Sequence, residues 1–200
     1  ISGGTITVPA GVTSFTVTVP TTSDTIDEAN ETYTLNVGAA SGTGTITDDD
    51  AAPTISSVTA DTQTEGTDLV HTVTLSNASS SSTSFAYSLG GGSATGGGTD
   101  YTTPPTFSNG VTLVAGNLIV PAGVTSFTIT VPTTLDTIDE GASETYSVSV
   151  GGVSNTGTIT DDDAADSPPT DIGLSNSTVA ENAGANAVIV AEAVLERVEG

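Results

Sequence analysis

Apolar and polar residues alternate with a period of two over much of the chain. Phe127, Ile129 and Val131 are separated by Thr128 and Thr130, and Tyr146, Val148 and Val150 by Ser147 and Ser149. That period places successive side chains on opposite faces, the pattern of a half-buried antiparallel strand. It predicts strands near 55–60, 69–76, 83–89, 111–114, 118–120, 124–131, 144–150 and 155–160. Asn109-Gly110, Ala115-Gly116-Asn117 and Pro121-Ala122-Gly123 separate them as turn signals. Thr fills 39 of the 200 positions, in alternation with Val, Ile and Phe, which is strand rather than helix composition. Short strands with Gly/Pro turns imply an all-β chain of Ig-like antiparallel β-sandwich modules.

The chain repeats itself. Val8-Pro9-Ala10-Gly11-Val12-Thr13-Ser14-Phe15 returns as Val120 to Phe127, and Asp24-Thr25-Ile26-Asp27-Glu28 as Asp136 to Glu140, both offset by 112. Thr43 to Asp50 returns as Thr156 to Asp163 at an offset of 113, so one residue is added around Gly141 to Ser143. A unit of this size is a module, not a short solenoid repeat. Residues 1–50 are then the C-terminal half of one module, 51–163 a complete module, and 164–200 the truncated start of a further β module, of cadherin-like kind. Each Asp triplet closes a module before a short linker, Ala51-Ala52-Pro53 or Ala164 to Pro169, leaving little room for free rotation. The last stretch, Ala191 to Gly200, has a helical flavour that fits no strand. Because Ile1 falls in mid-pattern, the chain is read as a segment of something longer.

Charge narrows the partners. Twenty-four Asp and Glu against Arg197 alone give a net charge of −23, which repels nucleic acid and anionic lipid. With no Cys there is no disulfide, thiolate nucleophile or Cys-type zinc site. No apolar run approaches 18 residues and no basic leader pattern occurs, so neither membrane insertion nor a signal peptide is expected in this segment.

The acids are not spread evenly. If the main strands run alternately up and down, 124–131 climbs to Asp136–Glu140 and 155–160 climbs to Asp161-Asp162-Asp163. The first strand ends at the loop holding Glu65, and 83–89 climbs to the loop ending in Asp100. Four acidic clusters thus meet at one end, whereas loops 77–82 and 151–154 contain no acid. Hard carboxylate oxygens without His or Cys are a Ca²⁺ ligand set; Mg²⁺ dehydrates too reluctantly for an all-protein cage. Two carboxylates ~4 Å apart repel by ~4 kcal/mol at an effective dielectric near 20, so such a cluster needs a cation to stay compact.

Residues 51–163 resemble a Calx-β domain, the module of sodium–calcium exchanger regulatory loops and of large bacterial surface adhesins. The resemblance rests on Thr64-Glu65-Gly66, Asp100-Tyr101, the Asp-x-Ile-x-Glu segment at 136–140 and the Ile-Thr-Asp-Asp-Asp close at 159–163. It implies Ca²⁺ ligation by Glu65, Asp100, Asp136, Glu140, Glu144, Asp161, Asp162 and Asp163, with the Ile138 carbonyl. In the first half-module it implies Asp24, Ile26, Glu28, Glu31, Asp48, Asp49 and Asp50. The family often has two adjacent acids where this chain has Leu135-Asp136 and Ser23-Asp24.

Other features have blander readings. Asp27, Asp61, Asp68 and Asp139 are taken as solvent or outer charges around the ligands. His71 falls in phase with Leu69, Val73 and Leu75 and is expected in the core or at its rim. The glycine stretch Gly90 to Gly98 is expected as a flexible loop beside the site; without a Lys and a following helix it is no phosphate loop. Asn30, Asn77 and Asn176 begin chance glycosylation sequons. With no Trp, no Cys and crowded acids, no catalytic residues are expected. The sequence therefore predicts extracellular, cell-surface Ca²⁺-binding spacer modules of an adhesin, partnered by neighbouring modules of the same chain. The alternatives are a module that itself grips a cell-surface or carbohydrate ligand, and a Ca²⁺ sensor within a transporter.

Overall fold

In the computed structural model, which describes residues 4–141 and 143–164 and two short strands beyond them, the alternating segments of residues 55–160 pair into two large sheets. The strands in chain order are β1 (Ile26–Asp27), β2 (Glu31–Val37), β3 (Ala40–Ile46), β4 (Ile55–Val58), β5 (Asp61–Thr64), β6 (Leu69–Leu75) and β7 (Ala78–Ser79). They continue as β8 (Thr83–Gly90), β9 (Thr106–Phe107), β10 (Thr112–Val114), β11 (Asn117–Val120), β12 (Ser126–Val131), β13 (Glu144–Val150) and β14 (Val153–Thr160). One sheet has the order β4-β6-β12-β9 and the other β10-β11-β8-β13-β14-β5. Their inward faces meet in one core: Leu69, Val73, Phe127, Ile129 and Val131 from the first, Leu118, Val120, Tyr146, Val148 and Val150 from the second. Each of these side chains contributes about 1.5–3 kcal/mol on full burial, while the alternating Thr and Ser keep the outer faces polar.

Two positive-φ turns explain the local punctuation. Ala115 and Gly116, at φ 49° and 82°, close β10 onto β11 as a two-residue hairpin. The loop expected over 151–154 is tighter than that. Gly151 and Gly152 turn β13 directly into β14, which starts at Val153 rather than at 155.

The first strand also departs from expectation. Instead of one run over 55–60, β4 pairs antiparallel with β6, and after Thr59-Ala60 the chain crosses to the other sheet, where β5 pairs parallel with β14. The crossing is held by polar bonds. Thr59 N donates to Thr72 O at 3.0 Å, Asn155 Nδ2 to Val58 O at 2.9 Å, and the His71 ring meets Thr59 O at 2.8 Å. His71 is fully buried, as expected. A carbonyl only accepts, so Nδ1 carries the proton and Nε2 accepts from the Tyr146 hydroxyl at 2.9 Å. Asp61 is no solvent charge: its carboxylate accepts from Thr62 N at 2.9 Å and from Val70 N at 2.6 Å, tying β5 to β6.

In residues 4–50, β1 pairs parallel with β7 of the complete module, and the remaining pairing is local. β2 and β3 form a hairpin, while residues 4–20 form no strand despite repeating the sequence leading into β12. Of residues 164–200, only β15 (Gly173–Leu174) and β16 (Ala191–Glu192), paired antiparallel, lie among the described residues beyond Ala164. Ala191–Glu192 is strand, so the helical flavour expected from 191 fails there. The rest of that expectation, and the third module's opening, lie outside the described residues, as does Asn176. No helix among the described residues is long and apolar enough to cross a membrane.

Candidate metal centre

The strand directions bring four acidic segments to one end of the sandwich. β5, β8, β12 and β14 all run the same way, because β5 is parallel to β14, β8 and β14 both oppose β13, and β4 and β12 both oppose β6. The sheet crossing sets Glu65 beside the terminal triplet, with Glu65 N donating to Thr160 O at 3.0 Å.

Two carboxylate groups result. Glu65, Asp136 and Asp163 each offer an oxygen within 4.8 Å of the others, and so do Asp100, Glu140 and Glu144. The inserted residue before Glu144 has not displaced it from the second group. At this spacing each like-charged pair costs roughly 3–4 kcal/mol at an effective dielectric near 20. Glu65 is 6% exposed and Asp100 7%. Glu65 Oε1, Glu144 Oε2 and Asp163 Oδ2 are buried without a hydrogen-bond partner. Burial, a hydrogen bond shared with Asp162, and the charges of Asp136, Asp163 and Asp161 push Glu65 from 4.5 up to about 7. Burial, a hydrogen bond with Asp100, and the charges of Asp100 and Glu140 raise Glu144 to about 7 as well. Glu140 is raised by burial and by Asp100, Asp136, Asp161 and Asp163. Carboxyls that hold protons near neutrality for want of a donor or a cation form a donor set suited to a hard divalent ion.

Asp161 braces this arrangement, and Asp162 shares a hydrogen bond with Glu65. Asp161 Oδ2 accepts from Glu140 N at 3.2 Å and Oδ1 from Asp163 N at 3.0 Å, while Asp136 Oδ1 accepts from Ile138 N at 2.8 Å. These bonds set the loop's shape. The Ile138 side chain is 63% exposed, so this position offers backbone rather than packing. Asp139 Oδ1 caps its own loop by accepting from Gly141 N at 3.2 Å.

The glycine stretch is anchored, contrary to the flexible loop expected. Ala94 is buried and its N–H donates to Thr145 O at 2.9 Å; a Cβ on Gly92 would lie 2.0 Å from that same carbonyl oxygen. Thr95 N donates to the Asp100 carboxylate, and Thr134 N to Asp100 O at 2.9 Å. Gly92 is therefore required by close approach, and these bonds hold Asp100 in place.

The first half-module reproduces the acidic loop. Ile26 N donates to Asp24 Oδ1 at 2.9 Å, Glu28 N to Asp48 Oδ2 at 3.0 Å and Asp50 N to Asp48 Oδ1 at 3.3 Å, each matching a bond of the complete module. Asp24, Glu28, Glu31, Asp48, Asp49 and Asp50 line one cleft. Glu28 is raised by desolvation and by Asp24, Glu31, Asp48 and Asp50, and Asp50 by desolvation and by Asp49, Asp48, Asp24 and Asp27. Asn30 is engaged too, its Oδ1 accepting from Asp48 N at 2.9 Å.

Sequence reasoning passed over Asp27, which is not a free surface charge. It reaches the acid-free end of the complete module, where its carboxylate accepts from Ser79 Oγ at 2.7 Å. Its duplicate setting, Asp-Thr-Ile-Asp-Glu, was the available signal. Asn77, the head of a sequon, spends its amide nitrogen on Ala51 O at 2.8 Å and Ala78 O at 3.1 Å.

Comparison with protein families matches the Calx-beta domain to residues 3–62 and again to residues 48–167. No curated protein matches the sequence. Among solved structures, the crystal structure of the S-layer protein rSbsC(31-844) is similar at 12% identity and a TM-score of 0.27, over 72% of this chain and 18% of that one. A likeness that faint carries no argument about function.

Proposed function

The chain belongs to the Calx-β domain family, and from that premise we propose that its acidic module ends bind Ca²⁺ and stiffen a surface-exposed spacer of a larger adhesin. The observation that carries this reading is the trio of buried oxygens lacking a donor, Glu65 Oε1, Asp163 Oδ2 and Glu144 Oε2, divided between two carboxylate groups. Glu65, Asp136 and Asp163 would hold one ion and Asp100, Glu140 and Glu144 another, with Asp161, Asp162 and the Ile138 carbonyl completing the shell. When bound, Ca²⁺ supplies the positive charge and the six to eight coordination positions that these oxygens lack. The chain's own part is to hold the loops in place through Asp136, Asp161 and Asp100, so that little ordering is left for binding. Asp24, Ile26, Glu28, Glu31, Asp48, Asp49 and Asp50 would serve the preceding junction in the same way.

The family is a structural module rather than a catalytic one, and an extracellular setting supplies the Ca²⁺ this reading needs. A carbohydrate-binding role has less support: Tyr101, beside the glycine-rich loop, is 3% exposed and has no ring face to offer a sugar.

The test is thermal melting of the full chain in EGTA, in millimolar Ca²⁺ and in millimolar Mg²⁺. A gain of ~2.7 kcal/mol is expected when free Ca²⁺ reaches a hundredfold its dissociation constant. A melting temperature that Ca²⁺ leaves unchanged would sink the proposal.

A further inference from the structure

The junction between the half-module and the complete module is built by β1 and β7, which come from different modules. They pair in parallel, Ile26 opposite Ala78 and Asp27 opposite Ser79. Ser80 N donates to Asp27 O at 2.9 Å, and Ser79 Oγ donates to Asp27 Oδ2 at 2.7 Å. The receiving loop is tied to its own module: Ser79 O accepts from Gly123 N at 2.9 Å and Ser81 N donates to Ser79 Oγ at 3.2 Å, and with Asp27 seated on it Ser79 is 4% exposed. Asn77 also clasps the linker at Ala51 O. A charge-assisted bond, a backbone bond and a linker clasp together fix both register and orientation.

We infer that the second acid of the Asp-Thr-Ile-Asp-Glu loop is a docking residue, clipping each module's acidic end to the 77–81 loop of the module that follows. Asp27 occupies that position in the first copy and Asp139 in the second. The 136–140 loop of the complete module has the same sequence as its counterpart, yet it is outside any strand, its Ile138 is 63% exposed against 37% for Ile26, and Asp139 turns back on Gly141 N. Asp139 would dock only where the following module is of the 51–163 kind, presenting a hydroxyl side chain and a free backbone N–H at the positions of Ser79 and Ser80. The inference goes beyond Ca²⁺ binding, because none of these bonds involves an ion.

Amide hydrogen exchange on the full chain tests it, in EGTA and in Ca²⁺. Asp27→Ala and Ser79→Ala should each speed exchange of the Ser80 N–H about tenfold or more, with the Phe127 N–H in β12 unchanged as the sign of an intact core. Asp27→Asn, which keeps an acceptor oxygen, should restore most of the protection. A second chain, with residues 164–200 replaced by another copy of residues 51–163, tests the repeat: Asp139→Ala should release the Ser80 N–H of the added copy. Equal Ser80 exchange in wild type and variants overturns the docking role, and an unchanged Ser80 in the added copy overturns its extension to Asp139. Loss of the Ca²⁺ response with Ser80 still protected would refute only the metal reading.

Discussion

Gly157 and Gly44 occupy the same position in the two repeats, and the structure predicts unequal outcomes for a change to Ala at each. Gly157 faces Tyr146 across the β13–β14 ladder, as Gly44 faces Tyr33 across β2–β3. A Cβ on Gly157 would lie 2.2 Å from Tyr146 Cζ, so the ring must retreat by about 1.2 Å to reach ordinary contact at 3.4 Å. It has nowhere to go. Tyr146 is 1% exposed, its hydroxyl bonds His71, and its ring lies 4.8 Å from that of Tyr101. Overpacking costs about 1–3 kcal/mol, and a His71 nitrogen left unpaired in the core costs about 1–3 kcal/mol more. Against this stands a gain of roughly 0.5–1 kcal/mol from replacing Gly in a strand. The net loss is about 1–5.5 kcal/mol, or roughly 4–22 °C in melting temperature for a module of this size. Gly44→Ala brings its Cβ to 2.4 Å from Tyr33 Cζ, yet Tyr33 is 36% exposed and can swing into solvent. Its effect should stay within about 0.5 kcal/mol. Calorimetric melts of both variants decide the matter. Equal, small effects would refute the claim that Tyr146 is pinned.

Two further outcomes follow from the carboxylates. Glu65 and Glu144 titrate near 7 in the fold against an ordinary 4.5, so the folded chain holds more protons than the unfolded one between those values. In EGTA stability should therefore fall as pH rises from about 4.5 through 7, whereas in Ca²⁺, which competes with those protons, it should rise; a metal-free melting temperature that climbs between pH 5 and 8 contradicts this. Glu65→Gln removes one charge from beside Asp136, Asp161 and Asp163, so it should raise the melting temperature in EGTA at pH 8. The same change should weaken Ca²⁺ binding by about tenfold to a hundredfold, read by calorimetric titration.

Much of the site was legible in the chain before any contact was known. Strand parity alone placed Glu65, Asp100, Asp136–Glu140 and Asp161–Asp163 at one end, because antiparallel neighbours must alternate direction. The division of these acids into two groups was not legible, nor was the use of Asp161 as a loop brace. Both depend on angstrom-scale placement that a periodic pattern does not encode. The anchoring of the glycine stretch was hidden for the same reason: the sequence shows nine small residues, but the carbonyl of Thr145 that Gly92 must clear is 53 positions away.

What the sequence determined by itself is everything whose cause is local. The Ala10-Gly11 turn, the β2–β3 hairpin and the acidic loop's bonds between close neighbours form even in the incomplete half-module. What the tertiary structure decided is whether an alternating segment becomes a strand. Val8 to Phe15 and Val120 to Phe127 are identical, yet Phe127 is 1% exposed in β12 and Phe15 is 48% exposed outside any strand. β12 has β6 and β9 as ladder partners and the opposite sheet to bury its apolar face, and residues 4–20 have neither. A strand's backbone bonds lie in another segment, unlike a helix's, so its sequence states only a readiness to pair.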